Sequence, residues 1–205
     1  MLVDAVTSFG GHRLDLAAWG IDACYSCTQK CLGAPPGLSP VVFGPRALAR
    51  RVKCRSFYFD LQLLEDYWLR RKYHHTMSST LVCALVEALA MIEEEGLEAR
   101  WRRHQQNHHL FVEGLASLGL SVLPPETERL WTVNAVRVPD GIDATAVRKY
   151  LLEEFNVEIG AGLGPLAGRI WRVGLMGTGS APRFVHLVIG ALEQALARQG
   201  RQVHA

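Results

Sequence analysis

Tyr25-Ser26-Cys27-Thr28-Gln29-Lys30-Cys31-Leu32-Gly33-Ala34-Pro35-Pro36-Gly37 frames one lysine between a short apolar run and a turn built from glycine and proline. The run, residues 21–26, reads as a strand, and the glycine-proline segment reads as a turn. A lysine framed in this way is placed to form an imine, its amine being the nucleophile that condenses with a carbonyl compound. Upstream, Leu2-Val3-Asp4-Ala5-Val6-Thr7-Ser8-Phe9-Gly10-Gly11 reads as a short buried strand that ends in a small-residue turn, with Asp4 its only charged group. An amine and an acid presented from strands of one α/β layer form the feature around which the chain is organised.

Outward from these segments, residues 39–43 read as a further strand, and Pro45 followed by residues 46–53 fits a short helix opened by proline. Residues 61–69 form an amphipathic segment that leads into the loop Tyr73-His74-His75-Thr76. Between 79 and 118, Val82, Leu85, Leu89 and Ile92, then Leu97 and Trp101 after Gly96, recur at helical spacing, which fits one long helix or two with a bend near Gly96. The pattern then changes to a strand at 131–138, a helix capped by Asp143 and carrying Val147, Leu151 and Phe155, strands at 157–159 and 170–175, and a helix at 182–198. The sequence predicts an α/β unit over 1–95 and a compact α+β unit over 96–205 that includes the linking helix.

Several function classes are excluded by composition. The 205 residues carry a formal charge of +2, which is no polyanion footprint, and the basic residues Arg46, Arg50, Arg51, Lys53 and Arg55 are broken by apolar ones and read as a solvated helix face. No apolar stretch approaches the roughly 20 residues of a membrane-spanning helix. Met1-Leu2-Val3-Asp4 lacks the basic start and apolar core of a secretory signal, so an intracellular protein is expected, with its five cysteines reduced. The ending Gln202-Val203-His204-Ala205 is not a peroxisomal address of the Ser-Lys-Leu type. Cys24 and Cys27, three apart, would face opposite sides of a strand, and no second pair accompanies them, so no metal is expected. His104 and His108 read as solvated among Arg102, Arg103 and Gln105.

Val3-Asp4 through Gly11, Gln29-Lys30 with its Pro-Pro-Gly, Tyr73-His74-His75-Thr76, Gly162-Leu163-Gly164-Pro165 and Arg172-Val173-Gly174-Leu175 follow one another in an order that resembles the alanine-glyoxylate aminotransferases. These are fold-type-I enzymes of the class-V aminotransferase family, which use pyridoxal 5'-phosphate. The resemblance runs through essentially the whole chain and implies part of the large cofactor-binding domain followed by the small C-terminal domain. It implies that Lys30 holds the cofactor aldehyde and moves a proton at the substrate alpha carbon, and that Asp4 keeps the pyridine nitrogen protonated. Gln29 matches the family position beside the lysine. Arg172 becomes the grip on the substrate carboxylate, a task suited to a planar guanidinium. Tyr73 and Thr76 are implied to reach the cofactor phosphate of a neighbouring subunit in an obligate homodimer.

The implied reaction passes the amino group of alanine or serine to glyoxylate, giving glycine and pyruvate or hydroxypyruvate, in a peroxisomal or mitochondrial compartment. Taken without the family, Lys30 is a loop lysine, Asp4 a strand-end acceptor, Arg172 a surface arginine, and His74-His75 a tempting metal pair. A cysteine desulfurase would carry histidine before the lysine, where Gln29 stands. The family carries a long portion ahead of the Asp4 strand, which supplies the phosphate turn, a ring-stacking aromatic and several strands. A C-terminal portion with feeble activity, or a non-catalytic dimerisation partner, is therefore also expected.

Overall fold

The computed structural model describes residues 1–201. The tetrapeptide 202–205, read above for a targeting address, lies outside the described residues. Strands β1 (Leu2–Asp4) and β2 (Ala23–Tyr25) run parallel, with Val3 opposite Cys24 and Asp4 opposite Tyr25. Strand β3 (Val41–Phe43) pairs antiparallel with β2, which makes β2 central and leaves β1 on an edge. This position corrects the expectation of a buried first strand: Leu2 and Asp4 are exposed, and burial begins only at Ala5.

Helix α1 (Pro45–Leu48) opens on proline as expected but lasts one turn, so the basic residues that follow share no helix face. Two of the five pair with acids: Arg46, within the helix, donates to Asp22, and Arg51, beyond it, grips Glu65 with both terminal nitrogens. Helix α2 (Leu61–Arg70) begins where the Asp60 carboxylate accepts from the amides of Gln62 and Leu63, the usual remedy for donors left free at a helix start. Helices α3 (Ser79–Glu95) and α4 (Leu97–Ser117) meet at Gly96, whose φ of +78° breaks the helical ladder.

A second sheet carries the C-terminal core. Its order is β4 (Val133–Arg137), β6 (Ile170–Gly174), β5 (Gly160–Ala161), all antiparallel, with β6 central. The third strand falls at 160–161 rather than at 157–159, because pairing with Trp171 and Arg172, not local propensity, selects its residues. Helix α5 (Ala144–Phe155) starts on the Asp143 cap, and α6 (Pro182–Arg198) starts on proline. Phe111 and Leu115 of α4, Val147 and Leu151 of α5, Val185, Leu192 and Leu196 of α6, and Trp171 and Val173 of β6 close one apolar core. Each such side chain contributes about 1.5–3 kcal/mol of burial. Trp171 is fully buried and donates its indole N–H to Ala144 O at 3.0 Å, so its one polar atom is not orphaned.

Apolar surface is distributed unevenly. Val41, Val42 and Phe43 of β3, Val52, Phe57 and Phe59 of the following loop, and Leu69 of α2 all stand in solvent. None of the helices among the described residues is long and apolar enough to cross a membrane.

Candidate functional site

Lys30 sits at the tip of a loop whose backbone is fixed from inside. Thr28 is fully buried and its hydroxyl donates to Pro35 O at 2.6 Å, while Thr28 N donates to Leu38 O at 3.2 Å and Ala34 N returns to Thr28 O at 3.0 Å. Ser26 is tied to the first strand by its hydroxyl, which donates to Ala5 O at 3.1 Å. Cys31 and Leu32 are buried on the next turn, where Cys31 Sγ lies 3.2 Å from Thr7 O. Burial pushes the Cys31 thiol up to about 11, which makes it a packing group and not a nucleophile. Lys30 itself is half-buried, Gln29 is exposed, and no ion pair engages the Lys30 ammonium among the described residues.

Asp4 ends β1 at the same edge. Its Oδ1 accepts from Val6 N at 2.8 Å and its Oδ2 accepts from the Tyr25 hydroxyl at 2.9 Å, an arrangement set by the parallel register that puts Asp4 opposite Tyr25. That bond, with a lesser effect of burial, raises the Tyr25 phenol above its ordinary value. The carboxylate faces solvent, where the expected buried strand would have enclosed it. Tyr25 was not singled out in the sequence, although its alternation with Cys24 in a strand beside Asp4 was the available signal.

The hydroxyls of Tyr73 and Thr76 lie 2.9 Å apart and bond each other, with Tyr73 77% exposed. Neither touches the Lys30 loop in this structure, so within one chain they form a separate surface. His74 is buried, stacks on Phe57 and shares hydrogen bonds with His75 and Phe57 O, which occupies both of its ring nitrogens. Arg172 projects from the exposed side of β6, where its Nε donates to Ala161 O at 2.7 Å and its terminal nitrogens have no hydrogen-bond partner among the described residues. Arg169 precedes β6, and Ile170 and Trp171 are both buried, so simple alternation does not begin until Arg172. The Gly162-Leu163-Gly164-Pro165 segment is a tight turn: a Cβ on Gly162 would stand 2.0 Å from Leu166 O.

The chief correction concerns α4. His104 and His108 are buried, not solvated, and share a helix face with Arg100, Asn107, Phe111 and Leu115. Leu97 is exposed and Trp101 partly so, and the expected apolar stripe does not form the buried face of this helix. His104 Nδ1 donates to Arg100 O at 2.8 Å, and Nε2 accepts from Gly177 N at 3.1 Å, which fixes a neutral imidazole. Burial lowers its pKa to about 4. Asn107 donates to Ser180 O at 2.9 Å, and His108 meets Asn134 Oδ1 at 2.7 Å. Polar residues at 100, 104, 107 and 108, continuous with Phe111 and Leu115, carry the helical period of the buried face, which apolar residues alone do not show. Cys24 and Cys27 are both buried, since Cys27 lies past the end of β2, where strand alternation no longer applies.

The carboxyl ends of parallel β1 and β2 thus present Asp4 and the loop of Lys30 at one end of a sheet, the usual position for a ligand in such layers. The residues fit pyridoxal phosphate: a half-buried amine to meet its aldehyde, and an exposed carboxylate held by two donors to meet its ring nitrogen.

Comparison with known proteins gives the same direction. The aminotransferase class-V family profile matches residues 1–170. Alanine–glyoxylate aminotransferase of Drosophila melanogaster is 40% identical over 96% of this chain and 52% of its own length. (S)-Ureidoglycine–glyoxylate transaminase of Bacillus subtilis is 36% identical over all of this chain and 55% of its own. The crystal structure of alanine–glyoxylate aminotransferase from Nostoc sp. superposes with a TM-score of 0.92 at 48% identity, covering 95% of this chain and 53% of that one. The chain spans about half the length of the relatives it matches. With a family match over most of its residues, the chain belongs to the class-V aminotransferases, a family of pyridoxal-phosphate enzymes.

Proposed function

We propose that this chain carries the reactive amine and the substrate grip of an aminotransferase that moves an amino group from alanine or serine to glyoxylate. The observation that carries this reading is the placement of Asp4 at the carboxyl end of β1 and of the Lys30 loop beyond the carboxyl end of parallel β2. Glyoxylate is the acceptor named for both the Drosophila and the Bacillus relatives, which supports the same acceptor here.

Pyridoxal phosphate, when bound, supplies an electron sink for the carbanion left at the substrate alpha carbon. The residues of the chain do the rest. The Lys30 amine would hold the cofactor aldehyde and would carry the proton to and from the substrate alpha carbon. Asp4 would meet the ring nitrogen through a charge-assisted hydrogen bond that favours its protonated form, and Gln29 would flank the amine. The free terminal nitrogens of Arg172 grip the substrate carboxylate. The exposed hydroxyls of Tyr73 and Thr76 belong to a homodimer in this proposal, each reaching the neighbouring subunit's cofactor phosphate. The division of the chain at residue 95 is part of the same proposal.

A second reading is favoured by the solvent-exposed Val52, Phe59, Leu69 and Tyr73. Surface of this kind is uncommon on a monomer and favours association, so the chain could serve as a non-catalytic dimerisation partner. Titration with pyridoxal phosphate, borohydride fixation and peptide mapping, run beside an alanine–glyoxylate assay, separates the two readings. Label on Lys30, lost in Lys30→Ala, with transfer to glyoxylate supports the enzyme. Wild-type protein that stays unlabelled and dimeric supports the partner and overturns the enzyme.

A further inference from the structure

A cluster of three charges on α3 and α4 sits against the site without belonging to it. The Glu95 carboxylate accepts from Arg100 Nη1 at 2.7 Å and from Arg103 Nε and Nη2 at 2.5 and 2.9 Å. Each arginine has a further contact. Arg100 Nη2 donates to Cys31 O at 2.6 Å, one residue past Lys30, and Arg103 Nη1 donates to Gly177 O at 3.0 Å and Ser180 O at 2.5 Å in the turn that follows β6. The two loops also touch directly, since a Cβ on Gly177 would lie 3.4 Å from Cys31 O and 3.5 Å from Lys30 O.

We propose that Glu95, Arg100 and Arg103 are positioning residues that lock the Lys30 loop to the turn beyond the Arg172 strand, so that α4 sets the spacing between the amine and the guanidinium. This inference rests on the roles of Lys30 and Arg172 given above.

The chemistry suits a lock. Arg100 is 3% exposed, and a buried guanidinium with one cationic charge is tolerated only when paired. Glu95 provides that pairing for both arginines at once, and the hydrogen bond from Arg103, ahead of that from Arg100, holds its carboxyl below the ordinary range. The planar fork lets each arginine reach the carboxylate and a loop carbonyl from separate nitrogens, a span that the single nitrogen of a lysine does not cover. Moving either loop alone would therefore break a charge-assisted bond on the other side of the shared carboxylate. His104, bonded to Gly177 N from the same helix, adds a neutral contact to the same turn.

Amide hydrogen exchange on the ligand-free chain tests the lock without any dependence on cofactor. Arg100→Lys keeps the charge and loses the fork. It should speed exchange at least about ten-fold, the worth of one charge-assisted bond, in residues 30–34 and also across the lock in residues 176–181. Arg103→Lys should speed exchange likewise in residues 176–181 and, across the lock, in residues 30–34, while α5 exchanges as in the wild type. Glu95→Gln should loosen both loops together. In the holoenzyme the same variants should raise KM for the amino donor more than they lower kcat, because the grip and the amine lose their register. Exchange that rises only in the loop each arginine touches would overturn the proposal, and so would variants with unchanged exchange. A wild-type chain that takes no label at Lys30 but shows coupled exchange would sink the enzymatic reading and leave the lock standing.

Discussion

Acidification from neutral pH to about pH 5 should destabilise this protein through His104, before any carboxylate takes part. The imidazole is fully buried, its Nε2 accepts from Gly177 N, and burial outweighs the Arg100 carbonyl that would favour a proton, so its pKa falls to about 4. In the unfolded chain a histidine takes up its proton near about 6.5. Between those values the unfolded state binds more protons than the folded one, so stability is fully present above the unfolded value and drains away as the pH falls towards 4. The loss amounts to about 2 kcal/mol at pH 5 and levels off at about 3 kcal/mol below the folded value. His108, lowered by burial in the same seam, adds to the loss. Glu95, Asp22 and Asp66, all lowered by their cationic partners, contribute only as the pH drops towards ordinary carboxylate values of about 4. Urea unfolding at about pH 7, 6 and 5 measures the slope directly. His104→Gln keeps an acceptor for Gly177 but has no proton to gain, so its slope should be clearly shallower. Stability that stays flat over that range, or a His104→Gln variant that falls as steeply as the parent, would refute the buried neutral imidazole.

Two further outcomes follow from backbone geometry. Gly177→Ala places a methyl group on a residue with φ of +57° against the Cys31 and Lys30 carbonyls, and should cost about 1–2 kcal/mol in urea unfolding while accelerating amide exchange in the Lys30 loop. Asp143→Ala removes the acceptor for the amides of Thr145 and Ala146 and should lower stability by about 1 kcal/mol with no effect on labelling of Lys30.

The elements that the sequence located well are those with a local code. The proline that opens α6 and the aspartate that caps α5 act within a few residues of themselves, and both helices start where those signals place them. Gly96 resolves the choice between one helix and two in favour of two, because its positive φ is a property of that residue. The errors lie where a distant partner decides. β5 is a Gly-Ala pair with no periodicity of its own, chosen by Trp171 and Arg172. β1 has a buried strand's composition but an edge strand's neighbours, which leaves Asp4 in solvent and gives Tyr25 access to it. The basic run after Pro45 is helical only through Leu48; Arg46 inside that turn pairs with Asp22, and Arg51 beyond it pairs with Glu65 of α2.

The polar face of α4 has a physical origin in the irregular backbone it covers. Lys30 sits on a loop, and a loop buried on one side leaves carbonyls that no ladder satisfies. Cys31 O and Ser180 O are such groups, and a helix face of leucines would have left both unpaired at a cost of about 1–3 kcal/mol, while Gly177 O keeps a bond from Ser180 N. Two arginines answer three carbonyls only if their own charge is answered, which places Glu95 at the end of α3 across the Gly96 break. The break thus has a consequence beyond shape: it turns the last turn of one helix back towards the first turns of the next, so that acid and bases meet. Further along α4 the same face becomes apolar at Phe111 and Leu115, where the second sheet presents ordered strand and needs no donors. One helix face therefore changes chemistry along its length as the backbone beneath it changes from loop to sheet.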